Sequence, residues 1–204
     1  MTDGRSGGLA LILGTAALVV VMALHPTGQQ MATAGSGFAA LALLNVLVHS
    51  LAILALPVLF FGALAWTRIA QTRLSTVALV LYGFALVAGM GAALMSGFVA
   101  PDALRQLARA TTPQSQELWR ALARYSGVLN QAFARVLVVG AAAAIVCWSA
   151  SIKGWLRWYA IVSSAAAIVL AGSGMLRLDV HGFGAVMILQ GIWFVVVGTR
   201  MRVA

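Results

Sequence analysis

The stretch FAALALLNVLVHSLAILALPVLFFGALAW, residues 38–66, decides the fold class of this chain. It contains no Asp, Glu, Lys or Arg, and it is longer than the roughly 20 apolar residues that carry a helix across a bilayer core. We therefore predict that it spans a membrane. The amide of Asn45 and the imidazole of His49, one helical turn apart on the same face, are the residues that this assignment leaves unexplained.

The rest of the chain has the same apolar character. Of its 204 residues, 62% are hydrophobic and 8% are charged, whereas soluble domains carry roughly a quarter charged residues. In lipid only helices and closed barrels satisfy the backbone, and runs of this length are helices. We predict an all-α, single-domain integral membrane bundle of six transmembrane helices, with an amphipathic outer segment between the third and fourth. The predicted helices cover approximately residues 7–24, 38–66, 76–100, 113–152 (including an extramembrane extension), 155–176 and 182–199.

The basic residues lie between the apolar runs and give the net charge of +9. Lys and Arg at such positions face lipid headgroups, so they indicate a bilayer partner and no nucleic-acid partner. With the N-terminus inside, the inner segments hold seven Lys and Arg residues and the outer segments six, and most of the tryptophans cluster at the inner interface. We predict a multi-pass protein of a bacterial-type inner (plasma) membrane with both termini cytoplasmic. A signal peptide cleaved after Ala32-Thr33-Ala34 is the minor alternative.

Small residues recur at spacings of about four or seven residues in the third, fifth and sixth helices. The stripes comprise Ala85, Gly89, Ala93 and Gly97 in the third helix; Ala160, Ser164, Ala167, Ala171 and Gly174 in the fifth; and Gly184, Gly191 and Gly198 in the sixth. Small side chains allow helix backbones to approach closely in lipid. The stripes favour packing within the bundle, with a homo-oligomer or a membrane partner chain as the alternative.

All three histidines fall on the predicted outer side, and an acid lies nearby. His25, His49 and His181 together with Asp179 would suffice for a transition metal, and two of the histidines would suffice as axial ligands of haem b. The spacing matches no HxxxH, HExxH or CxxCH pattern, and the single cysteine, Cys147, is typical of a small buried residue. The competing interpretation places the histidines at interfaces and helix ends.

Residues 101–135 differ from the apolar runs because they carry five arginines. Arg120, Arg124, Gln131 and Arg135 fall near one helical face. One interpretation is an interfacial helix whose arginines extend to lipid phosphates. The other is a basic lip over a cavity that receives an anionic group.

The leading functional hypothesis is a small membrane protein that binds or carries a small or lipid-like ligand in an outward-facing cavity between helices. The residues predicted to line this cavity are Asn45, His49, Asn130, Gln131 and Arg135. The alternatives are a metal- or haem-dependent membrane oxidoreductase that uses the outer histidines, and a non-catalytic assembly subunit of a membrane complex. The six apolar runs, 7–24, 38–66, 76–100, 136–152, 158–176 and 182–199, contain no Asp or Glu, the usual groups for ion-coupled transport, so binding is favoured over coupled transport.

Overall fold

The computed structural model describes residues 2–33 and 35–203, except for the side chains at positions 2, 3, 28, 29, 32 and 36. Every regular element in this part of the chain is a helix. In order these are α1 (Thr2–Leu24), α2 (Gly28–Thr33), a 3₁₀ turn (Gly35–Gly37), α3 (Phe38–Ala70), α4 (Arg73–Leu94), a π turn (Met95–Val99), α5 (Ala100–Arg109), α6 (Pro113–Ser149), α7 (Trp155–Gly172) and α8 (Val180–Val203). α4, the π turn and α5 form one continuous helix.

Within the described residues, six helices are long and apolar enough to cross a membrane: α1, α3, the α4–α5 helix, α6, α7 and α8. Their outward surfaces carry large apolar side chains, among which Leu54, Phe84 and Val162 are 69%, 71% and 66% exposed. An apolar surface this extensive is stable in lipid and unstable in water. The predicted all-α bundle of six helices is confirmed, and the chain is a multi-pass membrane protein.

Successive long helices run in opposite directions, so both ends of the chain lie at one end of the bundle. There Gly4 in α1 approaches the backbone of Met201 in α8. We call this the proximal end. The opposite, distal end consists of residues 25–33 and 35–37, the turn between α5 and α6, and residues 173–179.

Glycines bring three helices into backbone contact in the proximal half. A Cβ atom at Gly7 would overlap Ala65 of α3, and one at Gly8 would overlap the carbonyl oxygen of Gly198 in α8. No larger side chain fits at either position without separating the helices. This contact explains why α1 packs extensively on both α3 and α8.

An aromatic cluster fills the centre of the bundle next to these crossings. Tyr82, Trp148, Trp193 and Phe194 are all at least 95% buried, and their neighbouring rings have centroids 5.2–6.5 Å apart. The indole N–H of Trp148 donates to Oγ1 of Thr67 over 3.1 Å, which satisfies its polar edge. The cluster joins α4, α6 and α8 into one core.

The small-residue stripes pack inside the chain. Gly89 lies against Leu137 of α6, and Ala85 faces Gly140 of the same helix. Ala160 and Ser164 of the α7 stripe are fully buried. A homo-oligomer formed through these stripes would have to break these intramolecular contacts.

The third predicted helix is longer than expected. We predicted its end at residue 100, before Pro101, yet the helix continues through Pro101 to Arg109. The wider π turn immediately before the proline accommodates the missing N–H without ending the helix. The fifth helix ends at Gly172 rather than residue 176, and the alternative cleavage motif includes Ala34, which lies outside the described residues.

Candidate functional site

The π turn leaves a carbonyl group free beside α3. The N–H of Ala100 donates to the carbonyl of Met95, five residues earlier, and in this register the partner of the Ser96 carbonyl would be Pro101, which has no N–H. Nδ2 of Asn45 donates to that Ser96 carbonyl over 2.9 Å instead. Asn45 of α3 thus forms a hydrogen bond with the neighbouring helix. π turns occur frequently at functional sites, so the residues around this one are candidate site residues.

His49 packs directly on the π turn. A Cβ atom at Gly97 would lie 2.5 Å from Cβ of His49, so only glycine leaves room for the imidazole at this crossing. His49 is 6% exposed, and its Nδ1 lies 2.7 Å from the carbonyl oxygen of Asn45 in the preceding turn of α3. The ring is thus held by its own helix on one side and by the π turn on the other.

The imidazole of His25, just beyond the end of α1, meets that of His49. The two Nε2 atoms are 3.2 Å apart, and the ring centroids are 4.7 Å apart with planes inclined by 70°. Two rings meeting head to head at this N···N distance would have more widely separated centroids. The rings therefore meet at an angle.

The partners of the two Nδ1 atoms determine the protonation of both rings. Nδ1 of His25 lies 2.8 Å from the carbonyl oxygen of Pro26, and Nδ1 of His49 has the carbonyl of Asn45. A carbonyl oxygen only accepts, so both Nδ1 atoms carry a hydrogen and donate it. In the neutral rings both Nε2 atoms then present lone pairs to each other. Burial lowers the pKa of His25, with its Pro26 hydrogen bond acting in the opposite direction, so burial favours the neutral ring.

A cavity of about 920 Å³ adjoins the histidine pair and extends into the bundle. Ligand pockets typically measure about 300–1,000 Å³. The deep lining is apolar and reaches the aromatic cluster at Tyr82 and Phe194. The polar side chains on its wall include Thr15, His25, Asn45, His49, Asn130, Gln131 and Gln190.

Four of the five residues predicted to bind a ligand line this cavity. These are Asn45, His49, Asn130 and Gln131, whereas the exposed Arg135 does not line the cavity and extends toward Gly174. Nδ2 of Asn45 is occupied by the Ser96 carbonyl, and Nε2 of Gln131 donates to the Leu178 carbonyl over 2.9 Å.

The basic groups at the cavity come from α5 and not from α6. Arg105 and Arg109 line the cavity, while Arg120 and Arg124 do not. Arg105 also lies 3.7 Å from the exposed carboxylate of Asp102. The interpretation of Arg120, Arg124 and Arg135 as a basic lip over the cavity is therefore wrong in its residues, because the arginines that line the cavity are Arg105 and Arg109.

The predicted metal ligands are only partly brought together. His25 and His49 meet, but in the described chain no group of three or more His, Cys, Asp or Glu residues is arranged to hold a metal ion, so His181 and Asp179 do not join them. Asp179 lines the cavity, yet its Oδ1 accepts the N–H of Gly182 over 2.9 Å at the start of α8. This hydrogen bond is the main cause that lowers the pKa of Asp179, which acts as a helix N-cap.

Sequence reasoning did not single out Gly97 and Pro101 as parts of the site. Gly97 was placed in a packing stripe and Pro101 at a helix end. A glycine four residues before a proline in an apolar run was the available signal, since a π turn needs room beside it and frees a carbonyl.

Comparison of the chain with protein-family models, with curated proteins and with solved structures finds no match.

Proposed function

We propose that this protein binds a lipid-like amphiphile with an anionic headgroup in its distal cavity. We further propose that the cavity opens on the outer side of a bacterial-type inner membrane, with both chain termini in the cytoplasm. The observation that carries the proposal is a large, mostly apolar cavity with cationic side chains at its distal rim.

The length of the cavity supports a chain-like occupant. Its lining includes Tyr82 and Arg105, which lie about 35 Å apart along the α4–α5 helix at 1.5 Å per residue. Such a cavity suits an extended hydrocarbon chain that reaches from the rim to the aromatic cluster. Burial of the chain would offset the free energy otherwise lost by leaving an internal apolar space empty.

The charges at the rim support an anionic headgroup. Arg105 and Arg109 contribute two positive charges. Of the nearby acids, Asp102 lies 3.7 Å from Arg105 and Asp179 is engaged with the start of α8, so among the described residues Arg109 has no acidic partner. Arg presents a planar fork of donors that suits carboxylate and phosphate oxygens. A neutral amphiphile of the same length would lack this interaction.

Deeper in the cavity, Thr15 provides a further polar contact. Its side chain is 7% exposed, and its Oγ1 atom has no hydrogen-bond partner among the described residues. A buried hydroxyl without a partner destabilises a protein by about 1–3 kcal/mol. A hydroxyl or carbonyl group part-way along the ligand would satisfy it.

Binding fits this chain better than ion-coupled transport does. The four acids of the sequence, Asp3, Asp102, Glu117 and Asp179, all lie outside the six apolar runs. Coupled carriers usually place a carboxylate within the membrane. A metal-dependent activity is the second candidate, and the observation that favours it is the meeting of His25 and His49.

The proposal is tested by equilibrium binding of a long-chain fatty acid to the detergent-purified, metal-free protein. Its neutral alcohol of equal chain length serves as the comparison ligand. We expect the acid to bind more tightly than the alcohol, and Arg105→Gln with Arg109→Gln to remove the difference. Equal binding of acid and alcohol by the wild-type protein would contradict an anionic headgroup.

A pair of tryptophan substitutions on α3 tests whether the cavity is the binding site. Ala52 lines the cavity, whereas Leu54 is 69% exposed on the lipid-facing surface. Ala52→Trp fills the cavity and should weaken binding at least tenfold, while Leu54→Trp should leave it unchanged. If Ala52→Trp binds like the wild type, the ligand does not occupy the cavity.

A further inference from the structure

In their neutral state, His25 and His49 direct their two Nε2 lone pairs toward each other with no positive charge between them. Both Nδ1–H groups are used by backbone carbonyls, so two Nε2 lone pairs face each other at 3.2 Å in a largely buried place. Two acceptors at this distance repel one another. A positive species between them would convert the repulsion into attraction.

We propose that His25 and His49 bind one transition-metal cation, Zn²⁺ or Cu²⁺, through their Nε2 atoms. The proposal does not rest on binding of an amphiphile. It assigns a role to a pair of residues that hydrogen bonding alone leaves unsatisfied.

The separation of the two nitrogens matches that of two ligands on one ion. Zinc–nitrogen bonds are about 2.0–2.1 Å long, so two nitrogens at a tetrahedral angle lie about 3.3–3.4 Å apart. The observed distance is 3.2 Å. With both rings aligned on a tetrahedral ion the centroids would lie about 5.2 Å apart, so from the observed 4.7 Å each ring has to turn slightly outward when the ion binds.

The hydrogen-bond partners of both rings are of the kind that orient histidine ligands in metal sites. A metal-bound histidine commonly donates its other N–H to a carbonyl or carboxylate, which fixes the tautomer and the ring orientation. Here Pro26 and Asn45 supply the two carbonyls, and Gly97 confines the His49 ring. The pair is therefore set in the liganding tautomer before any ion arrives.

The remaining coordination positions are open to the cavity, because both rings line it. Two neutral imidazoles do not offset the charge of a divalent ion. Hydroxide or an anionic group from the cavity would supply the missing negative charge. Two protein ligands are fewer than the three of catalytic zinc sites and the four of structural ones, so two coordination positions would be filled from the cavity.

The test is metal binding by chelator-stripped protein that was purified without a polyhistidine tag. Zn²⁺ alone is titrated in equilibrium dialysis with elemental analysis, and we expect one equivalent per chain. His25→Ala is expected to weaken binding at least tenfold, because it removes half of the protein ligands. The matched control is His181→Ala, which changes the exposed histidine that lies outside the pair and should bind like the wild type.

His49→Ala provides a second variant, with size-exclusion profile and melting temperature recorded for each protein. Because His49 is buried, this variant can lose stability. His25 lies at a helix end, so the zinc affinity of His25→Ala is by itself sufficient to test the proposal. With Cu²⁺ the electron paramagnetic resonance spectrum of the wild type should show coupling to two imidazole nitrogens. No zinc binding by the wild type, or equal affinity in His25→Ala, would overturn the proposal and would indicate a proton shared by the two rings. The fatty-acid assay uses metal-free protein, so its outcome is independent.

Discussion

The proximal and distal ends of the bundle differ in what occupies the space between their helices. At the proximal end, glycines bring α1 against α3 and α8, and four buried aromatic rings close the centre. At the distal end, a π turn, a histidine pair and a cavity of about 920 Å³ lie between the helices. Under the proposed function, the proximal end determines stability and the distal end determines binding, with the aromatic cluster between them. Substitutions should therefore affect one property more than the other.

The largest expected effect is on stability, from Trp148→Ala in the aromatic cluster. Trp148 is fully buried, and its removal leaves a cavity and takes away the N–H that donates to Oγ1 of Thr67, whose hydroxyl keeps only its bond to the Ser75 carbonyl. We expect a loss of about 3–5 kcal/mol in the free energy of unfolding, measured in detergent by circular dichroism. The matched control is Trp158→Ala, whose side chain is 66% exposed and whose loss should change stability little. Equal losses of unfolding free energy in the two variants would contradict the assignment of stability to the aromatic cluster.

Gly97→Ala should affect both stability and the site. The added methyl group would overlap Cβ of His49, so we expect a loss of about 1–3 kcal/mol and a weakened histidine pair. Gly83 on the same continuous helix is the control, because a Cβ atom there would lie 3.4 Å from Phe60. Unfolding free energy and zinc affinity are measured for both variants. Wild-type zinc affinity in a folded Gly97→Ala protein would show that the π turn does not position His49.

A double-mutant cycle tests why Asn45 bonds to the π turn. Asn45→Ala leaves the Ser96 carbonyl without its side-chain donor, whereas Pro101→Ala restores an N–H that can serve that carbonyl. Asn45→Ala should therefore lower the free energy of unfolding by less when Pro101→Ala is also present. We expect a coupling on the order of 0.6 kcal/mol, typical of hydrogen bonds within membranes. Strictly additive costs would mean that the proline does not create the acceptor.

The smallest expected effect is the pH dependence due to Asp179. Its pKa is lowered from the ordinary 3.8, chiefly by the Gly182 N–H. The native state thus binds this proton less tightly than the unfolded state, so the stabilisation is present above pH 3.8 and is lost as the pH falls through the lower native value. Asp179→Asn retains a good helix cap and removes this dependence. Melting temperatures of the two proteins should converge in acid, and parallel curves would contradict the assignment.

The sequence predicted the bundle more completely than the site. Long apolar runs without charge identify membrane helices whatever their neighbours, so five of the six helices were placed to within a few residues at most ends. The site depends on contacts between helices that sequence spacing does not encode. Asn45 and His49 were identified because polar groups are rare in such runs. Spacing along the chain does not show that His25 meets His49 whereas His181 does not, or that Arg105 lines the cavity whereas Arg135 does not.

The central claim is that a lipid-like molecule occupies the distal cavity and not the outer surface of the bundle. Photo-crosslinking tests it most directly, with a long-chain fatty acid that carries a diazirine near its chain end and with mass spectrometry to locate the adducts. We predict adducts on cavity residues such as Leu56, Leu59 and Leu86, and their loss in Ala52→Trp. Adducts confined to lipid-facing residues such as Leu54, Phe84 and Val87 would contradict the claim.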